Sequence, residues 1–257
     1  MTAVKRAGYL LGLPILLVAL WWLLTLDSDN FFVPSPGEVT ATFVDVWVGD
    51  RFAADVLPSV SRLLTGLTLA IVAGLVLGLL IGCVRWLREL VEPLFEFLRA
   101  IPATIIVPIL LLLVGLNDTA KIAVIVIGCV WPVLLNTVEG VRAIDSVLSD
   151  TARVYGVTGV SRLRYLVIRS ASPQMMAGIR QSLSIGLILM VVSEMFAASD
   201  GLGFAIIQFQ RIFAIPEMWS GIILLGLLGV ALAAVFTLVQ SRALAWYYGQ
   251  KGAADAR

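Results

Sequence analysis

The chain has 257 residues, 60% of them hydrophobic and 14% charged, with a net charge of +1. Soluble domains are nearer about half apolar and a quarter charged, so an integral membrane protein built as one bundle is implied. The absence of histidine removes Ser-His and Cys-His nucleophiles together with the commonest metal ligand, and the balanced charge gives no reason to expect a nucleic-acid partner.

A spanning helix needs roughly 20 mostly apolar residues. The first such run, about 8–26, follows Lys5 and Arg6. It is longer than a signal-peptide core and has no small-x-small cleavage site before Asp27, so it reads as a retained first span. The segment 27–57 comes next, and in "FFVPSPGEV" Pro34 and Pro36 disfavour helix locally. "GEVTATFVDVW" after it suits a short amphipathic helix lying along the interface. Trp21, Trp22, Trp47 and Trp219 are placed in the outer aromatic belt.

Further spans are expected at about 60–83, 101–116, 121–139, 174–198 and 219–241, giving six in all. Pro102 and Pro108 interrupt the third, which is short. Gly74, Gly78 and Gly82 form a small-x-x-x-small stripe suited to close helix packing. Cys83 and Cys129 lie within apolar runs and read as small buried hydrophobes, with no disulfide framework.

Between the fourth and fifth spans lies a water-facing segment of about 30 residues, too long for a mere connector. Asp145 or Ser146 caps a helix, and Gly156 fits the left-handed residue that ends it. Ser161 caps a second helix, and Ser172 with Pro173 reads as N-cap and N1 of the next span. Ala152 and Gly156 permit close approach by a partner and Tyr155 offers an anchor. A basic loop touching lipid headgroups explains the same residues.

Lys and Arg distribution sets the orientation. Thirteen of the 18 fall in one set of alternate loops and tails, from Lys5 to Arg257, against three in the other, Arg51, Lys121 and Arg211. Both termini and the loop after the fourth span are therefore expected in the cytoplasm.

The pattern D-T-A-x-x-x-G, Asp150 to Gly156, resembles the cytoplasmic EAA loop of ABC-importer permeases, with Pro173 matching its closing proline. Five further stretches resemble that family in order. They are "FFVPSPGEV", "PSVSRLLTGLTLAIVAGLVLGLLIG", "EPLFEFLRAIPATIIVPILLLLVGLND", "WPVLLNTVEGVRAID" and "SEMFAASDGLGFAI". The nearest branch takes sulfonates, taurine, nitrate and related small molecules. The resemblance implies an all-α membrane protein of six transmembrane helices with the type I ABC importer fold. It divides the chain into 1–57, a permease core over 58–241 with its coupling loop at 142–172, and a cytoplasmic tail at 242–257.

It also implies a bacterial plasma-membrane location, a pair of ABC ATPase subunits, a second permease copy or a sister permease, and an extracytoplasmic substrate-binding protein. The coupling helix around 147–157 would seat Asp150, Thr151, Ala152, Arg153, Tyr155, Gly156 and Val157 on the ATPase. ATP would be bound by that partner, since this chain has no G-x-x-x-x-G-K-[ST]. No catalytic residue, cofactor or metal is expected in this chain. Asp150 and Thr151 depart from the usual Glu-Ala, and "RSASP" from the usual Leu-Pro-x-x-x-Pro. Both a homodimer and a heterodimer of permeases fit these departures.

Ionisable and polar groups inside spans are costly and usually face protein or water. Arg180, Asn136, Met190 and Glu194 are therefore candidate lining of a translocation path. For Arg180 the rivals are snorkelling to the cytoplasmic headgroups and a pair with Glu139, for Asn136 a bond between helices, and for Glu194 a clamp between helices. A secondary transporter driven by an ion gradient is the alternative function. It often shows internal repeats and midplane carboxylates, whereas here no repeat is evident and the acids cluster near span ends.

Overall fold

The computed structural model describes residues 3–26, 30–197 and 199–249. Among these the chain is helical, without strands. The helices are α1 (Ala3–Thr25), α2 (Pro36–Trp47), α3 (Leu57–Cys83), α4 (Arg85–Ala100), α5 (Ala103–Val114), α6 (Asp118–Arg142), α7 (Ser146–Val154), α8 (Gly159–Arg162), α9 (Ile168–Ala197), α10 (Leu202–Arg211) and α11 (Ile215–Ala243). Single π-helical turns, Phe52–Val56 and Leu163–Val167, run into α3 and α9.

Among the described residues, four helices are long and apolar enough to cross a membrane: Phe52–Cys83, Asp118–Arg142, Gly159–Phe196 and Ile215–Ala243. The apolar helices Gly12–Thr25 and Ala103–Val114, where a first and a third span are expected, are shorter. Among the basic residues used for orientation, Lys251 and Arg257 lie outside the described residues.

The bundle is organised by α6, which packs on α3 and on α9. Glycines set both contacts. A Cβ on Gly66, Gly74 or Gly82 would stand 2.7–2.9 Å from Ile125, Val133 or Val141 of α6. On the other side, Gly178 of α9 meets the Pro132 carbonyl and Asn136 of α6 equally closely. Backbones that approach this far gain dispersion contacts along their length, the favourable term left once lipid replaces water. Leu63, Leu67, Ile125, Leu189 and Met190 fill the resulting core.

Several local readings change. Pro36 starts α2 rather than opposing it: it occupies the first turn, where its missing N–H is no loss. Ser35 completes a capping box there with Glu38. Ser172 and Pro173 lie inside a continuous helix. Pro173 cannot donate to the Arg169 carbonyl four residues back, and the Ser172 hydroxyl donates to that carbonyl instead, at 2.8 Å. The second loop helix begins at Gly159, two residues ahead of Ser161.

Trp47 is not a belt residue. It is buried against Val56, Leu202 and Phe209, and its indole N–H donates to Ser220 Oγ at 2.9 Å. Cys129 is buried as expected, but Cys83 is exposed at the end of α3. Residues 85–100, read only as a connection between spans, form the amphipathic helix α4. Leu87, Val91 and Phe95 of α4 pack against Ile81, Leu134 and Val138.

Candidate functional site

The loop between α6 and α9 is built from its caps. Asp145 accepts from Leu148 N at 3.0 Å and starts α7. The end of α7 is a Schellman motif: Val157 N donates to Ala152 O at 2.9 Å, and Gly156 N to Arg153 O at 3.0 Å. Gly156 takes φ +70°, a conformation that disfavours any side chain. Arg153 lies 3.5 Å from Asp150 within the helix. Arg162 donates to Ser149 Oγ at 3.0 Å and ties the two loop helices together.

No residue of α7 is buried. Val154 is 85% and Tyr155 81% exposed, and Val147 and Val160 are exposed beside them. Asp150, Thr151 and Gly156 are likewise open, and a Cβ at Gly156 would meet nothing within 4 Å. A rigid, capped helix that presents apolar side chains outward is suited to contact another surface.

The second feature is a polar stripe on α9. Gln174, Arg180, Gln181 and Ser184 share adjoining turns and are exposed in this chain. Exposed polar groups on a span are unfavourable against hydrocarbon, so this face requires protein or water opposite it. A cavity of about 520 Å³ adjoins one edge, lined in part by Thr104, Trp131, Asn136, Gln181 and Ile185. Another, of about 640 Å³, lies between α9 and α11 and includes Arg180, Ser184 and Phe236.

Asn136 and Arg180 thus border open space. Asn136 accepts from Gln174 Nε2 at 2.9 Å and donates to Pro132 O at 2.8 Å. Arg180 does not pair with Glu139. It donates to Gln240 Oε1 at 2.8 Å, and its guanidinium carbon lies 5.7 Å from the centre of the Phe236 ring. Gln181, Ser184 and Thr104 had not been singled out in the sequence. For Gln181 and Ser184 the signal was polar residues at neighbouring turns of an otherwise apolar span; Thr104 stands alone on α5 and gave none.

Glu194 and Met190 lie elsewhere, fully enclosed. Glu194 Oε1 pairs with Arg62 Nη1 at 3.0 Å, and Gly203 N donates to Oε2 at 3.0 Å. Ser59 Oγ lies 2.8 Å from each carboxylate oxygen. Arg62 also pairs with Asp118 at 2.7 Å and with the Asp200 carboxylate. The segment "SDGLG" wraps this centre: Gly201 N donates to Asp55 Oδ1 at 3.1 Å and Leu202 N to Ser59 Oγ at 2.8 Å. Gly201 has φ +113°, and a Cβ there would stand 2.5 Å from the Glu194 carboxyl carbon. The clamp joins α3, α6, α9 and α10.

The family described as binding-protein-dependent transport system inner membrane component matches residues 66–245. Over 253 residues the chain is 27% identical to the putative aliphatic sulfonates transport permease protein SsuC of Bacillus subtilis (strain 168), covering 96% of this chain and 91% of that one. It is 25% identical to the taurine transport system permease protein TauC of Escherichia coli (strain K12), covering 91% and 88% of the two chains. It is 32% identical to the bicarbonate transport system permease protein CmpB of Synechococcus elongatus (strain ATCC 33912 / PCC 7942 / FACHB-805), over 68% of this chain and 64% of that one.

A solved chain from the crystal structure of an amino acid ABC transporter with histidines shares the fold. Its TM-score is 0.57 at 16% identity, covering 83% of this chain and 97% of that one. The matched region takes in α6, α9, the capped loop between them and the polar stripe. With these features inside the match, the chain belongs to the family of binding-protein-dependent transport system inner membrane components.

Proposed function

We propose that this chain is the non-catalytic permease subunit of an ATP-driven importer in a bacterial plasma membrane, crossing it six times with both termini inside. The observation that carries the reading is the capped loop with Val154 and Tyr155 turned outward. Such a surface suits a groove on an ATPase subunit. ATP is bound and hydrolysed there, and closure of an ATPase pair draws two such loops together. Two permeases, identical or sister chains, then rock between inward-open and outward-open states.

The path runs along the α9 stripe, with Arg180, Gln181, Ser184 and Asn136 facing water. Met190 and Glu194 support that wall from behind. The sulfonates, taurine and bicarbonate in the relatives' names are small polar or anionic solutes, and Arg180 is a cation suited to them. A substrate-binding protein delivers the solute to the outer face.

The test is uptake into liposomes holding this chain, an ATPase encoded beside it and the binding protein, with labelled taurine or an alkanesulfonate offered. Uptake that needs ATP and the binding protein supports the reading. Uptake driven by a proton or sodium gradient without ATP establishes the secondary transporter instead.

A further inference from the structure

Arg62 joins three carboxylates that belong to three different parts of the chain, and the three are not equivalent. Glu194 is enclosed, whereas the side chains of Asp118 and Asp200 are 60% and 43% exposed. The Arg62–Glu194 pair is a fixed interior element, held by Ser59 and the Gly203 amide. Asp118 and Asp200 are its outer limbs. Nε of Arg62 donates to Asp118 at 2.9 Å as well, and Nη1 to the Asp200 carbonyl at 3.4 Å. Lys121 donates to the same Asp118 oxygen at 3.2 Å.

The placement of these limbs matters. α6 starts at Asp118 and ends at Arg142, where the capped loop begins. α9 leaves that loop and ends at Ala197, just before Asp200. The two helices also lie against each other near the loop, where Gly140 meets Ala171 and Gln174. So α6 and α9 form a frame closed at one end by the loop and at the other by the Arg62 guanidinium.

We propose that Arg62 is a positioning residue of the transport cycle: a crosspiece that makes the far ends of α3, α6 and α9 turn as one body when the loop is displaced. This rests on the importer reading above. A push applied at one end of two helices reaches their other ends undiminished only if those ends cannot slide apart. A planar fork bonded to both sides resists sliding in a way that one apolar contact does not. Because Glu194 keeps Arg62 paired, the outer limbs are removable without leaving the buried guanidinium alone, and the amide oxygen introduced by Asp118→Asn still offers an acceptor to the buried Lys121.

The test uses the complete complex in liposomes and measures solute imported per ATP hydrolysed. The variants are the double substitution Asp118→Asn with Asp200→Asn, the charge-keeping Asp118→Glu with Asp200→Glu, and Glu89→Gln at a surface pair as control. The double Asn variant should assemble and hydrolyse ATP within about twofold of the parent, while solute per ATP falls by about fivefold or more. The Glu variant should keep at least about half the parent ratio, and the control should match it.

Arg62→Lys, which keeps the charge and loses the fork, should behave like the double Asn variant. It provides a second readout should the latter not assemble. An unchanged ratio in either variant overturns the proposal, as does a parallel loss of hydrolysis and import in an assembled complex. A parent complex without ATP-driven uptake overturns the importer reading instead.

Discussion

Gly78 of α3 and Thr137 of α6 meet with no room for a side chain between them. A Cβ on Gly78 would stand 2.6 Å from Thr137 Cβ and 2.9 Å from the Leu134 carbonyl. The Thr137 hydroxyl turns back to its own helix, donating to Val133 O at 2.6 Å, and leaves its methyl group in the contact. Gly78→Leu should therefore force the two best-packed helices apart and cost about 1–3 kcal/mol or more. Gly226→Ala on α11, where a Cβ meets nothing within 4 Å, should leave the unfolding midpoint unchanged or raise it slightly, because a helical Gly costs about 0.5–1 kcal/mol relative to Ala. Thermal unfolding of both variants in detergent checks the pair.

Glu194→Ala removes the acceptor of Arg62, Ser59 and the Gly203 amide together. Removing one partner of a buried pair costs about 3–5 kcal/mol when the other charge is left alone. Arg62 keeps Asp118 and Asp200, so the loss lies towards the lower end of that range. The yield of folded protein should drop steeply, whereas Arg85→Gln, at an exposed pair with Glu89, should have no measurable effect. Equal yields for the two would remove the clamp from the account of stability.

If the exposed polar stripe on α9 faces water in the assembled complex, it is open to chemistry. With Cys83→Ser and Cys129→Ala as background, Ser184→Cys in the assembled complex should react with a charged, membrane-impermeant thiol reagent. Val72→Cys, on an exposed apolar position of α3, should not. Reaction at Val72 and none at Ser184 would place lipid against the stripe and move the path elsewhere.

The sequence was most legible where structure is local. Asp145 as cap, Gly156 as the left-handed terminator and the glycine stripe of α3 each follow from residues within a turn or two of one another. Pro173 misled because its lost bond is repaired by its neighbour Ser172, a detail of rotamer rather than of pattern. α4 escaped notice because a hydropathy reading treats a segment with six charged residues in 16 as a connection, although its apolar residues recur at helical spacing.

A clamp at Glu194 is among the readings of the sequence, but its partners were beyond reach for a different reason. Ser59 and Arg62 are separated from Glu194 by 135 and 132 residues. Nothing in periodicity joins them. Glu194 was noticed as a costly charge, but its partner had to come from the fold. Of the candidate path residues, Asn136 and Arg180 border cavities and Met190 and Glu194 do not, a distinction set by which face of α6 or α9 each occupies.

The central claim is that the capped loop transmits force from an ATPase. It is tested most directly by co-purifying the chain with its ATPase and measuring hydrolysis stimulated by the binding protein, in the parent and in Gly156→Trp. The substitution faces open space away from the bundle, so its backbone strain at φ +70° and its large ring both fall in the turn that α7 presents. The expected result is a parent complex with stimulated hydrolysis and a variant that loses either assembly or stimulation. A variant that assembles and is stimulated like the parent would contradict the account and leave the loop a solvated connector.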